Sequence, residues 1–171
     1  MSELLSKQEI EEEVTNVKNE LDSIEAMNCL PYDKWLDEYK EALSNIKLKK
    51  TAVHGDFQVR NILIDRKKSL INVIDWDWRY QEKGNPIYDF MWLATNIMML
   101  SNDPIMEFRS NLNDNGKAVT AKRIIKETMK NHFTVNLDFT KLQRFMILRF
   151  ITIKIKDGTD GYLIYIEMLR I

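Results

Sequence analysis

Asp56, Asn61 and Asp75 are the residues of this chain whose types and spacing could do chemistry. They lie in Val53-His-Gly-Asp-Phe-Gln-Val-Arg-Asn-Ile-Leu-Ile64 and, after a short gap, in Ile74-Asp-Trp-Asp-Trp78. Phosphoryl transfer asks a protein for one carboxylate that orients or accepts the proton of an attacking hydroxyl, and for oxygen ligands to a magnesium ion that bridges the phosphates. Two acids and an amide supply that set. The Asp-x-x-x-x-Asn spacing lets one short loop turn both side chains into a common cleft, the acid toward the acceptor and the amide oxygen toward the metal.

The elements that must position them follow from the intervening residues. Ile62-Leu-Ile64 and Leu70-Ile-Asn-Val-Ile74 are β-branched runs flanking Asp65-Arg-Lys-Lys-Ser69. This pattern predicts a hairpin that returns the chain to its start and sets Asp75 beside Asn61. Asp89, ahead of Phe-Met-Trp-Leu-Ala, also suits a helix N-cap. Trp76, Trp78 and Tyr80 alternate with Asp77 and Arg79; the alternation describes a strand face packing inward, or an aromatic patch for a cationic ligand.

His54-Gly55-Asp56 with Asn61, followed by Ile74-Asp75-Trp76, resembles the aminoglycoside phosphotransferase and choline kinase family of protein-kinase-like small-molecule kinases. The resemblance spans roughly residues 50 to 100. It implies Asp56 as the catalytic base, Asn61 and Asp75 as magnesium ligands, His54 as a brace of the loop and Asp77 as a support behind the metal. Asn85-Pro-Ile-Tyr-Asp89 is similar to the family segment in which an aspartate at the start of the next helix anchors the catalytic loop, a role that falls to Asp89. The implied fold is α+β and mostly helical, a protein-kinase-like C-lobe in which a small β-hairpin carries the catalytic and metal-binding loops. The implied cofactors are Mg2+ and ATP, and the implied partner is a small molecule offering a hydroxyl acceptor.

Upstream of His54 the sequence reads as helix, with no Gly-x-Gly-x-x-Gly loop and no Val-Ala-x-Lys strand to hold a triphosphate. Ile10, Val14, Val17, Leu21 and Ile24 form one apolar stripe, ended by Asn28-Cys-Leu-Pro31; Trp35, Tyr39, Leu43 and Ile46 form a second. The expected organisation is one kinase-like C-lobe domain over residues 1–171, with a helical pair at 1–50, the catalytic loop and hairpin at 51–89 and a helical subdomain at 90–171. An N-terminal ATP lobe is absent from that organisation. The nucleotide is then expected to bind weakly to the chain alone, and the two stripes are candidates for a second chain or for self-association. Lys122, Lys126 and Lys130 suggest the solvated face of a helix from about 117 to 131. Residues 139–156 read as a buried helix, although Ile151, Ile153 and Ile155 alternate as in a strand. A last helix is expected from Tyr162 to Arg170.

With 44% hydrophobic and 30% charged residues and a net charge of −1, the 171 residues suit one globular domain. No apolar run is long enough to span a bilayer, and no signal or transit segment is visible. Cys29 is the single cysteine, read as inert packing, and the composition fits a cytoplasmic protein. Near-neutral charge argues against a nucleic-acid surface. Residues 1–50 hold 7 basic and 12 acidic side chains, residues 91–171 hold 12 and 8; a basic C-terminal half disfavours a polycationic acceptor. Two other readings stand beside the kinase: a non-catalytic kinase-fold module binding a metabolite or protein, and a helical interaction protein with coincidental acids. The hairpin and the Asp56-Asn61-Asp75 spacing count against the last.

Overall fold

The computed structural model describes residues 3–44, 46–76, 80–112, 127 and 138–170. The predicted helix at about 117–131 and the residues Asp77, Trp78 and Arg79 lie outside the described residues, apart from Glu127, which is helical.

Helix α1 (Lys7–Leu21) begins at a capping box: the Glu9 N–H donates to Ser6 Oγ at 3.2 Å and the Ser6 N–H donates to Glu9 Oε2 at 2.9 Å. Its stripe Ile10, Val14, Val17 and Leu21 is buried. The helix stops there. Ile24, expected to continue the stripe, instead has extended backbone and leads a 3-10 turn at Glu25–Met27, because Asp22 and Ser23 satisfy the last carbonyls locally. Helix α2 (Tyr32–Ser44) buries Trp35, Tyr39 and Leu43.

Among the described residues four strands follow in two antiparallel pairs. β1 (Thr51–Val53) pairs with β4 (Gln81–Gly84), and β2 (Ile62–Asp65) pairs with β3 (Leu70–Val73) in the register Ile62 to Val73 through Asp65 to Leu70. The outer pair thus clamps the base of the segment that contains the hairpin. Among the described residues helices α3 (Ile87–Met99), α4 (Pro104–Leu112), α5 (Phe139–Lys156) and α6 (Tyr162–Leu169) follow.

Residues 139–156 are helical throughout, and α5 is the centre of the core. Asp138 caps it by accepting the Thr140 and Lys141 N–H groups at 3.0 and 3.3 Å. Leu142, Phe145, Met146, Ile147, Leu148 and Ile151 are buried because α1, α2, α3 and α6 all pack against α5. A helix covered on several sides is apolar all round, which erases the amphipathic signal and lets a chance alternation imitate a strand. Tyr39 and Phe145 stack with ring centroids 3.6 Å apart and join α2 to α5.

The apolar stripes of α1 and α2 are therefore consumed inside the chain rather than offered to a partner. Exposed apolar surface is found on the β2–β3 hairpin instead, where Leu63, Ile64, Leu70 and Ile71 are 49–69% exposed. Cys29 is exposed as well, not packed. Among the described residues no helix is long and apolar enough to cross a membrane.

Candidate active site

β1 ends at buried Val53 and delivers the chain into the loop His54-Gly55-Asp56. Gly55 has φ 80°, in the left-handed region where glycine is unstrained. The turn directs two successive N–H groups at one carboxylate: His54 N–H donates to Asp89 Oδ2 at 2.8 Å and Gly55 N–H to Asp89 Oδ1 at 2.9 Å. Asp89 sits in the first turn of α3, whose N-cap is Pro86, so its side chain ties helix to loop rather than capping the helix. Burial raises the Asp89 carboxyl above its ordinary range, and the two N–H bonds pull it back.

His54 is buried and bridges two segments. Its Nδ1 accepts the Asp56 N–H at 3.2 Å, which leaves Nε2 as the protonated nitrogen, 2.7 Å from the Ile74 carbonyl. The ring therefore holds the start of the catalytic loop against the residue before Asp75. Both ring nitrogens are engaged by backbone groups of the chain itself.

Asp56 is partly buried, and its Oδ2 accepts from Gln58 Nε2 at 2.7 Å with Arg60 Nη2 at 3.9 Å. Asn61 closes a 3-10 turn (Val59–Asn61) and donates from Nδ2 to the Asp56 carbonyl at 2.9 Å. This fixes the amide and leaves Oδ1 as the atom that could meet a metal. Asn61 is only 2% exposed. The Ile74 N–H donates to the Asn61 carbonyl at 3.0 Å, continuing the β2–β3 ladder by one step.

That ladder brings Asp75 alongside Asn61 through the backbone; no hydrogen bond joins the two side chains. Asp75 is exposed, with φ 66°, a conformation that aspartate tolerates better than most residues but that carries strain of order 1 kcal/mol or more. Trp76 and Tyr80 do not pack inward as a strand face. They are 50% and 44% exposed, meet edge to face at 5.6 Å, and Trp76 lies 4.8 Å from the His54 ring. Trp76 follows the end of β3 and Tyr80 precedes β4, so both lie outside the strands. Trp78 and Asp77 fall outside the described residues.

Sequence reasoning missed Gln58, Arg60 and Asn96. Gln58 is 9% exposed and touches the Asp56 carboxylate; a polar residue two positions after an acid, between Phe57 and Val59, is the available signal. Asn96 on α3 accepts the Val59 N–H at 3.1 Å and pins the far side of the loop. Among the described residues no three His, Cys, Asp or Glu side chains gather into a metal site. Asn61 and Asp75 offer two oxygen donors that could hold a magnesium ion whose other positions were filled by water and phosphate.

A cavity of about 410 Å³ opens next to the loop, lined by Gly55, Val53, Tyr88, Trp92 and Arg149 among others. Its volume lies in the range of small-molecule sites.

Two solved structures share the fold. A glucosamine kinase in complex with glucosamine, ADP and inorganic phosphate superposes with a TM-score of 0.56 at 14% identity, covering 98% of this chain and 48% of that one. A second crystal form of glucosamine kinase gives the same score and identity, with 47% of its chain covered. The chain thus spans about half the length of the structures it matches. No match was found among curated proteins. The phosphotransferase enzyme family matches residues 4–120, across both first helices, the catalytic loop and the hairpin, and the chain belongs to that family.

Proposed function

We propose that this chain is the catalytic lobe of a magnesium- and ATP-dependent small-molecule hydroxyl kinase. The observation that carries the reading is the junction at Asn61: its side chain is bonded to the backbone of Asp56, and its carbonyl to the residue before Asp75. Asp56 takes the role of base, its carboxylate oriented by Gln58 and directed at the hydroxyl of the acceptor. A positioned base of this kind contributes roughly 10²- to 10⁴-fold. Asn61 Oδ1 and the Asp75 carboxylate would hold the metal. When bound, magnesium neutralises charge on the phosphates. His54 and Asp89 keep the loop rigid, and Asp77, outside the described residues, would support the metal.

The nucleotide's remaining contacts come from a second lobe, on a longer chain or another polypeptide, because residues 3–53 build helices and one short strand rather than a glycine-loop sheet. Glucosamine, the ligand in a structure of the same fold, is the first acceptor to try. The setting proposed is cytoplasmic. Partners are the acceptor and the nucleotide lobe, with neither nucleic acid nor membrane in the reaction.

The test is an NMR titration of the isolated chain with Mg-ATP. Shifts confined to residues 54–61 and 73–75, weak and magnesium-dependent, support the reading. Tight binding elsewhere on the chain contradicts it. The runner-up, a non-catalytic module binding a metabolite in the same cleft, predicts ligand binding without any magnesium-dependent nucleotide response.

A further inference from the structure

The 410 Å³ cavity is lined by an arginine whose side chain makes no hydrogen bond among the described residues. Arg149 is half-buried on α5, with its guanidinium 5.1 Å from the Tyr88 ring centroid. Its charge acts on the Glu13 carboxylate behind it, yet its guanidinium donates no hydrogen bond and forms no ion pair among the described residues. A guanidinium offers five N–H donors in a planar fork that matches the two oxygens of a carboxylate, or a phosphate. The fork opens on the cavity rather than being sealed in the core, so an anionic group entering the cavity can pair with it in a charge-assisted bond.

Among the described residues the other charges lining the cavity are Glu20, Lys156 and Asp157. Lys156 donates to Glu20 at 2.6 Å. Asp157 is exposed at the C-terminal end of α5, eight residues from Arg149 and so roughly 12 Å further along the helix axis. Trp92 and Tyr88 supply aromatic surface, and Gly55, immediately before Asp56, lines the same cavity.

The geometry points to an acceptor pocket for a small hydroxylated acid: an anionic group, carboxylate or phosphate, seated on the fork of Arg149, and a hydroxyl presented toward Asp56. This inference rests on the reading of Asp56 as the base that faces the acceptor. It assigns Arg149 as the residue that sets specificity, and it separates this chain from cation-selecting pockets, in which carboxylates rather than a free guanidinium would meet the ligand.

Three six-carbon probes of one size differ in charge: gluconate, glucose and glucosamine. Their binding to the full chain is read by calorimetry without nucleotide, in the wild type and in Arg149→Met and Arg149→Lys. Gluconate is expected to bind on the order of tenfold or more tightly than glucose, as a charge-assisted pair provides, with glucosamine weakest. Arg149→Met should remove the preference, and Arg149→Lys, which retains the charge beside Glu13 but not the fork, should keep only part of it. Circular dichroism of both variants establishes that they are folded, and Arg149→Lys carries the test if Arg149→Met is not. Glucosamine binding as tightly as gluconate, a gluconate preference that survives in the folded variants, or no binding of any probe at millimolar concentration overturns the proposal. A second phosphorylatable acid, glycerate, repeats the comparison at smaller size. Binding here needs no turnover: gluconate binding that persists in Asp56→Asn while phosphoryl transfer also persists would count against the base assignment and leave the Arg149 pocket intact.

Discussion

Asp89 accepts the backbone N–H groups of His54 and Gly55, at 2.8 and 2.9 Å, from 35 and 34 residues further along the chain. One carboxylate thus fixes the conformation of two consecutive residues before Asp56. Nothing else in the described structure ties α3 to the start of the loop so directly. Asp89→Ala removes both acceptors and strands two N–H groups in a half-buried site, which should destabilise the fold by about 2–4 kcal/mol. Asp89→Asn keeps one acceptor and should lose less. Urea unfolding measures the difference, and hydrogen exchange should accelerate first at His54 and Gly55. Equal stability of both variants and wild type would show that the loop is held by other means.

Much of this arrangement is legible in the sequence. The acid-amide-acid spacing and the two β-branched runs give the loop and hairpin because strand period and turn chemistry are local signals. Asp89 is ambiguous in sequence, since a helix cap and a long-range anchor both place an acid in a first turn; only the distance to His54 decides it. The environments of Trp76 and Tyr80 depend on what covers a strand, which alternation cannot report. The contacts of Gln58 with Asp56 and of Asn96 with Val59 depend on rotamers and on helix packing, and no periodicity encodes them. The same limit hid the burial of the α1 and α2 stripes against α5.

Stability should depend on pH through Glu13. Its stem is partly exposed, but Oε1 is sealed without a hydrogen-bond partner while Oε2 accepts from the Tyr39 hydroxyl at 3.1 Å. Burial pushes the carboxyl up to about 7, against the opposing pull of the Arg149 charge and the Tyr39 hydroxyl. The unfolded chain releases this proton near 4.5, so between pH 4.5 and 7 the folded state binds more protons than the unfolded one. Stability should therefore fall as pH rises through that window and level off above it, by about 1–3 kcal/mol in all. Glu13→Gln should flatten the slope and exceed wild-type stability at pH 8. Thermal melts at pH 5, 6, 7 and 8 read the effect; an unchanged slope in Glu13→Gln would place the titrating group elsewhere.

The β2–β3 hairpin should drive self-association when nothing covers it. Ile64 and Ile71 face each other across the ladder and are 65% and 69% exposed, an apolar pair on a two-stranded sheet whose outer edges lack partners in the described structure. Light scattering across a dilution series should show concentration-dependent association. Ile64→Lys combined with Ile71→Glu should abolish it with little change in melting temperature, because neither side chain belongs to the core. Association that persists in the double variant would locate the contact on another face.

The most direct measurement of the central claim is phosphoryl transfer from Mg-ATP to a hydroxylated acceptor by the protein supplied with a nucleotide lobe, comparing wild type with Asp56→Asn. The substitution keeps the shape of the side chain and its contact with Gln58 while removing the proton-accepting charge. The account predicts a loss in kcat of roughly 10²- to 10⁴-fold with stability nearly unchanged, and a smaller loss for His54→Gln, which acts through the loop. Turnover by Asp56→Asn equal to that of wild type would contradict it.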